Sequence, residues 1–263
     1  MTRRVLLGLV VVLGVSCTAA GNRVIVAAGT TLVDSGLIDA VADVYEETHP
    51  GTQISIMGES TKLILELGRQ GAADLLIVHA PVQEQEFVSE GHASESVPIV
   101  ESRFVLIGPP ELAAEFAGLT VERAFARVAN EELPFVSRGD NSGTHDRELA
   151  VWAGLGYDPF RFAWYLQTGQ GMGPTIQVAD QRSAVTLAEY GAFLAATGSI
   201  SLVDLRLAPD DLANPYSALV ASSGANPSGA TAFLEWLGSP DGKRAIEDVN
   251  RELFGEVVYQ PIP

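Results

Sequence analysis

From Arg23 onward, short apolar runs alternate with stretches whose apolar residues recur every three or four positions. Val24 to Ala28 is a compact apolar run suited to a buried parallel strand. Leu37, Ile38, Val41, Ala42 and Tyr45 then line one face of a helix, with Asp34 placed to cap it and His49-Pro50-Gly51 to end it. Gln53 to Met57 alternates as a strand. Gly58-Glu59-Ser60-Thr61 leads into a helix carrying Leu63, Ile64 and Leu67. Asp74 to Val78 reads as a strand, Pro81 to Val88 as a helix, and Arg103 to Ile107 as a strand closed by Gly108-Pro109-Pro110. This βαβα order predicts a parallel sheet covered on both faces.

The second half continues in the same style. The pattern predicts helices over Val121 to Val128, His145 to Leu155, Asp158 to Leu166 and Ser183 to Ala196. Strands are expected at Pro134 to Val136, Ser199 to Val203 and Ser217 to Ala221, and a glycine-rich turn at Gln170 to Pro174. Ala230 to Leu237 and Lys243 to Val249 read as closing helices.

Two helix starts stand out by their chemistry. Ser137-Arg138-Gly139-Asp140-Asn141-Ser142-Gly143-Thr144 gathers hydroxyls, a guanidinium and two glycines just before a helix. Ala28-Gly29-Thr30-Thr31-Leu32-Val33-Asp34-Ser35-Gly36, more than a hundred residues upstream, follows a similar logic with hydroxyls and glycines ahead of a helix. Hydroxyls, guanidinium and the free N–H groups of a helix start all donate hydrogen bonds, and all suit an anion. Two such segments so far apart in sequence suggest an oxyanion held between two lobes. A site made only of donors prefers fully deprotonated dianions such as sulfate, molybdate or tungstate, because hydrogen phosphate needs an acceptor for its proton. Asp140 is that acceptor, or else it orients Arg138; the second role is the one expected here. Six to eight charge-assisted bonds support roughly −8 to −12 kcal/mol of binding, micromolar to nanomolar.

Composition narrows the field. The chain has 263 residues, enough for one or two domains, and a 47% hydrophobic fraction supplies real cores. A net charge of −17 argues against nucleic acid, whose phosphates need a basic surface. Only two lysines occur, Lys62 and Lys243, so nearly every fixed positive charge is an arginine. Four scattered histidines (His49, His79, His92 and His145) lack metal-ligand spacing and read as structural or surface residues, so no metal site and no cofactor are expected.

Arg3 and Arg4 followed by the apolar run Val5 to Val15 form an export signal over residues 1–16, too short to span a membrane. The run ends at Cys17, the single cysteine, which places a lipid anchor there; Gly14 stands where leucine is usual in such cleavage sites. Cleavage removes two arginines and takes the net charge from −17 to −19.

Several segments together resemble the tungstate-binding receptors of ABC transporters, the TupA-type family. They are Thr30-Thr31 with Asp34-Ser35-Gly36-Leu37; Leu65 to Arg69 with Ala73 to Pro81; Ser137 to Asp140 with Ser142-Gly143-Thr144; Gly169 to Gly173; and Asn214-Pro215-Tyr216-Ser217. They run in family order from about residue 24 to the C-terminus. The resemblance implies an α/β, two-lobed periplasmic-binding-protein (type II) fold, each lobe a mainly parallel sheet flanked by helices. Residues 23–103 and 216–263 would form lobe 1 and residues 104–215 lobe 2, closing by hinge motion near Phe104 and Tyr216. The oxyanion, tungstate or molybdate, would be held by Thr30, Thr31 and Thr61 from one lobe and Ser137, Arg138, Gly143 and Thr144 from the other, with Ser60 and Asp140 behind them. An ABC permease would be the partner of a monomeric receptor that meets the membrane only through Cys17.

Departures from the family pattern are visible. Thr31 takes the place of a serine, Ser60-Thr61-Lys62 replaces a threonine flanked by glycines, and Val185, Glu189 and Tyr190 stand where Tyr, Asp and Arg are usual. They leave the tungstate-over-molybdate preference open, and sulfate or phosphate remain alternatives on the same fold. Each hydroxyl also has a plainer reading as a helix cap. An exported hydrolase pairing His145 with Ser137 or Ser142 is the alternative from another class, but the chain has no Gly-x-Ser-x-Gly elbow.

Overall fold

The structure, a computed structural model, describes residues 22–208 and 212–263. The expected export signal and Cys17 lie outside the described residues. The first half runs β1 (Arg23–Gly29), α1 (Thr30–Asp34), α2 (Leu37–Thr48), β2 (Gln53–Glu59), α3 (Thr61–Arg69), β3 (Leu75–Val78), α4 (Pro81–Ser89) and β4 (Val97–Gly108). There follow α5 (Ala113–Phe116), α6 (Val121–Asn130), β5 (Phe135–Ser137), α7 (Gly143–Gly154), β6 (Tyr165–Gln167), α8 (Met172–Gln181), β7 (Thr186–Glu189), α9 (Tyr190–Ala196) and β8 (Val203–Asp204). The chain closes with β9 (Ala213–Val220), α10 (Pro227–Gly238), α11 (Pro240–Phe254) and β10 (Gln260–Pro261).

β1, β2 and β3 pair in parallel, as the alternation with helices requires, in a sheet ordered β10-β4-β9-β3-β1-β2. β9 and β10 add antiparallel neighbours. β4 is twice as long as its apolar pattern indicated, and it serves two sheet regions. Val97 to Arg103 pair with β9, whereas Phe104 to Gly108 pair with β7 and β8. β5 and β6 form a parallel pair joined to the segment before β7 by a bridge between Phe135 and Val185.

Both faces of these strands are buried, which explains their continuous apolar runs. Val24, Val26 and Ala28 pack with Tyr45 and Phe233, while Ala27 points to the opposite face with Ile64 and Phe87. In β4, Phe104 and Leu106 join Phe125, Phe135 and Trp152, while Val105 and Ile107 join Met172 and Ile176. This period-two split gives four apolar clusters, two on the opposite faces of β1, β3 and β9 and two around the C-terminal half of β4. Each fully buried large apolar side chain contributes roughly 1.5–3 kcal/mol relative to exposure.

Some expected elements differ. Asp34 does not cap α2: it belongs to α1, and the entry to α2 is made by Gly36 at φ 78° with the Ser35 hydroxyl accepting from Leu37 N–H. Asp158 to Leu166 is not a helix but a single turn at Pro159–Arg161 followed by β6, because Phe162, Trp164 and Tyr165 stack on the aromatic cluster around Trp152. Ser183 to Ala196 divides into β7 and α9, with Glu189 capping α9 through the Ala192 N–H. Buried strands and helices both read as apolar runs, so the pattern alone did not separate them. Gly171-Met172-Gly173 opens α8 rather than forming a free turn.

Candidate functional site

The donor-rich segments meet because of strand register. β1 and β2 run in parallel and end together, with Gly29 opposite Glu59, so Thr30 and the Ser60-Thr61 segment leave the sheet side by side. Ligand sites of open α/β sheets form at such carboxyl ends. β5 ends at Ser137 and delivers the loop before α7 to the same place: the Arg138 guanidinium donates to Thr31 Oγ1 at 2.9 Å and lies 3.4 Å from Thr30 Oγ1. Residues 107 and 108 positions apart are thus in contact.

Arg138 is 2% exposed and its geometry is tightly held. Asp140 Oδ2 accepts from Nε at 3.1 Å and from Nη2 at 2.6 Å, while Oδ1 accepts from Ser142 N–H at 3.2 Å. Both carboxylate oxygens are therefore engaged within the loop. The turn that allows this has Gly139 at φ 64° and Asn141 at φ 57°. A Cβ on Gly139 would also lie 2.7 Å from Gln167 Cβ.

An arginine has no acceptor, so Thr30 and Thr31 must receive its hydrogen bonds on their oxygens. Their own hydroxyl hydrogens then remain free to donate. Among the described residues Ser137 Oγ and Thr144 Oγ1 are buried with no hydrogen-bond partner. Leaving a buried hydroxyl unpaired costs roughly 1–3 kcal/mol, so orphans grouped around a guanidinium mark a built polar site. Thr61 is also buried, at the first position of α3. The plainer capping role falls to Ser142 alone, whose Oγ accepts from His145 N–H at 3.4 Å. Neither Gly29 nor Ser60 provides a side-chain cap.

Two histidines read as scattered lie at this site. His79, at the end of β3, stacks on Tyr216 with ring centroids 4.8 Å apart, and its Nδ1 lies 2.8 Å from Asn214 Oδ1. Asn214 only accepts at that atom, so the His79 proton sits on Nδ1 and Nε2 is bare. Burial lowers its pKa to about 4, with Asn214 opposing and Arg138 adding to the shift, so the ring is neutral at pH 7. A Cβ on Gly143 would fall 2.4 Å from His79 Cε1, so the first residue of α7 must be glycine for the two segments to approach. His145 Nδ1 accepts from Asn141 N–H at 3.1 Å, which leaves the proton on a buried, unpartnered Nε2; burial lowers this pKa too. Among the described residues the His145 imidazole makes no hydrogen bond to a serine hydroxyl. Thr186, at the start of β7, carries another buried hydroxyl without a partner among the described residues, which no sequence motif marked.

A cavity of about 470 Å³ opens beside this cluster, bounded by His79, Gln83, Phe104, Asp146 and Asn214. Gln83 Nε2 donates to Asp146 Oδ2 across it at 3.3 Å. Thr31, Ser137, Arg138 and Thr144 do not line it and are sealed from solvent.

A profile of the PBP superfamily domain matches residues 16–241. The chain is 35% identical over 229 residues to a Haloferax volcanii protein whose name gives it as an ABC transporter anion-binding protein; the match covers 83% of this chain and 66% of that relative's length. It is 30% identical to the tungstate-binding protein TupA of Peptoclostridium acidaminophilum, over 93% of this chain and 87% of that one. The protein belongs to the TupA-type family of periplasmic binding proteins. The solved structure of the tungstate-binding TupA from Desulfovibrio alaskensis G20 superposes with a TM-score of 0.77 at 32% identity, covering 92% of this chain and 99% of that chain. The TupA fold thus places the two donor segments on separate parts of the chain and brings them together at the sheet ends. Among the described residues no helix is long and apolar enough to cross a membrane.

Proposed function

We propose that this protein is an extracytoplasmic receptor that captures a tetrahedral oxyanion, tungstate above all, and hands it to an ABC transporter permease. The observation that carries the reading is the buried Arg138 guanidinium joined to Thr31 and Thr30, with the orphaned Ser137 and Thr144 hydroxyls beside it. Thr30, Thr31, Thr61, Ser137 and Thr144 donate through hydroxyls, Gly143 through its backbone N–H, and Arg138 supplies the positive charge. Asp140 holds Arg138, and Ser60 supports Thr61. The names of the relatives, tungstate-binding and anion-binding, support the ligand class. The protein acts by binding, without turnover.

Tungstate and molybdate share charge and shape; the preference for tungstate over sulfate rests on the larger anion spanning donors from both halves. In this reading the lobes divide at 103/104, where β4 changes partners, and at 215/216, within β9, and the chain closes on its ligand by hinge motion there. Residues 1–16 direct export and Cys17 carries a lipid anchor for an otherwise monomeric receptor.

Calorimetric titration with tungstate, molybdate, sulfate and phosphate tests the reading. Tight one-to-one tungstate binding, with sulfate and phosphate much weaker, is expected. Tight binding of phosphate alone would assign Asp140 as an acceptor to the anion and overturn the ligand assignment.

A further inference from the structure

A buried carboxylate stands behind the hydroxyls of this site. Glu148 lies on α7 one turn beyond Thr144 and is 2% exposed. Its Oε1 accepts from Trp152 Nε1–H at 3.2 Å and from the Tyr165 hydroxyl at 2.7 Å. The Ser137 hydroxyl borders both Glu148 and Tyr165, close enough to favour their ionised forms yet without a well-aligned hydrogen bond to either. Trp152, Tyr165 and Phe135 form a packed aromatic cluster around these groups. Burial there pushes the Glu148 carboxyl up to about 7, with Ser137, Tyr165 and Trp152 pulling the other way.

We propose that Glu148 holds a proton for the oxyanion site: by setting the direction of the Ser137 hydroxyl, it couples capture of a fully deprotonated anion to proton uptake. This rests on the oxyanion-receptor reading above. Ser137 has one hydrogen to give. When Glu148 is ionised, that hydrogen turns toward the carboxylate, and a lone pair faces the anion. When Glu148 is protonated, its O–H donates to Ser137 Oγ, and the Ser137 hydrogen is released to the anion. Protonation also removes a negative charge from beside a dianion, in a site too dry to screen it. An oxyanion that carries its own proton, such as hydrogen phosphate, has the opposite preference, because it can donate to Ser137 when Glu148 is ionised. Glu148 is thus a positioning residue that sets specificity without touching the ligand.

The other groups facing this network are accounted for. Tyr165, from β6, is raised above its ordinary value by burial and by Glu148, and it stays neutral. Trp152, on the same helix, does not titrate. Around Ser137 the charges are Arg138 and Asp140, which pair with each other. Two further groups of the first turn of α7 titrate: His145, lowered by burial, and Asp146, raised by burial. His145 is the competing site of proton uptake, since an anion nearby would favour its charged form.

The test is calorimetry of tungstate binding at pH 6, 7 and 8 in buffers of different ionisation enthalpy. The wild type is expected to take up a fraction of one proton per anion near pH 7. Its affinity should fall above that pH by at most about tenfold per unit. Glu148→Gln reproduces the protonated acid: its Oε1 accepts from Trp152 and Tyr165 while its Nε2–H donates to Ser137. That variant should bind without proton uptake, with an affinity independent of pH and equal to the wild type at pH 6. Binding by the wild type with no proton uptake overturns the proposal and leaves the receptor reading intact. So does uptake that survives in Glu148→Gln and vanishes in His145→Gln. If the wild type binds none of tungstate, molybdate, sulfate and phosphate, the receptor reading itself fails, and this coupling with it. Infrared difference spectra of the wild type with and without tungstate give a second readout should the variant not fold. A protonated-carboxyl band that grows on binding supports the coupling, and its absence refutes it.

Discussion

Arg138 Nη1 donates to Thr31 Oγ1 at 2.9 Å, and this contact joins two parts of the chain that share no secondary structure. It occupies the oxygen of Thr31 and polarises the hydroxyl, leaving its hydrogen free to donate.

Arg138→Ala should abolish tungstate binding. The variant loses a full positive charge and several charge-assisted bonds at roughly 1.5–3 kcal/mol each, so affinity should drop by more than about a hundredfold. Arg138→Lys should recover little, since an ammonium cannot hold Asp140 and both threonines at once. Calorimetry reads both. Asp140→Asn is the informative partner. If Asp140 orients the guanidinium, affinity falls; if its charge mainly repels the anion, affinity rises.

Removing single hydroxyls should rank by burial and geometry. Thr31→Val removes a 3% exposed hydroxyl bonded at 2.9 Å, and about a tenfold loss of affinity is expected. Thr30→Val removes the longer, more exposed contact at 3.4 Å and should lose less. Equal effects would mean that the anion meets both hydroxyls alike, whatever their bond to Arg138.

Gly143→Ala should weaken anion binding by about tenfold or more, because the added Cβ meets the His79 ring at 2.4 Å. The ring has little room to retreat while it stacks on Tyr216 and bonds to Asn214. Gly173→Ala, where a Cβ meets nothing within 4 Å, serves as the control and should bind normally. Loss of affinity in both variants would point to helix-start flexibility instead of the His79 contact.

The pH dependence of stability has two opposed contributions. His79 is held neutral, with its pKa lowered to about 4 from 6.5. The stability it contributes is present above 6.5 and is lost as the pH falls through 4. Its upper bound is about 3 kcal/mol, reduced by solvent at the edge facing the cavity. Glu148, raised from 4.5 to about 7, contributes in the reverse sense: stability is fullest below 4.5 and declines as pH rises through 7, by roughly 3 kcal/mol. Denaturant unfolding from pH 4 to 8 should show His79→Gln flattening the acid side and Glu148→Gln flattening the neutral side. Unchanged profiles would mean that neither group is as desolvated in solution as its surroundings indicate.

Much of the fold is local, and local features are legible in a linear sequence. Leu37, Ile38, Val41, Ala42 and Tyr45 give α2 its buried face because helical spacing alone puts them together. Val24 to Ala28 announce a strand buried on both sides because a continuous apolar run presents apolar residues to both faces of a sheet. The second donor segment is equally local: Ser137, Arg138, Asp140, Gly143 and Thr144 fall within eight consecutive positions, and Asp140 reaches Arg138 two residues away. What the apolar pattern did not settle was whether short buried runs were strand or helix. Tyr165 to Gln167 and Thr186 to Glu189 became strands because β5 and β4 offered partners there.

The sequence by itself determined the two donor segments, the alternation that sets a parallel sheet, and the family. Tertiary structure alone decided that Thr31 meets Arg138, that His79 closes against Gly143, that Thr144 and Ser137 are left without partners, and that Glu148 stands behind them among aromatic rings. Spacing along a chain fixes which residues share a face of one element. Which faces meet, and which polar atoms lose water when they do, follows only once the sheet has brought distant strand ends together.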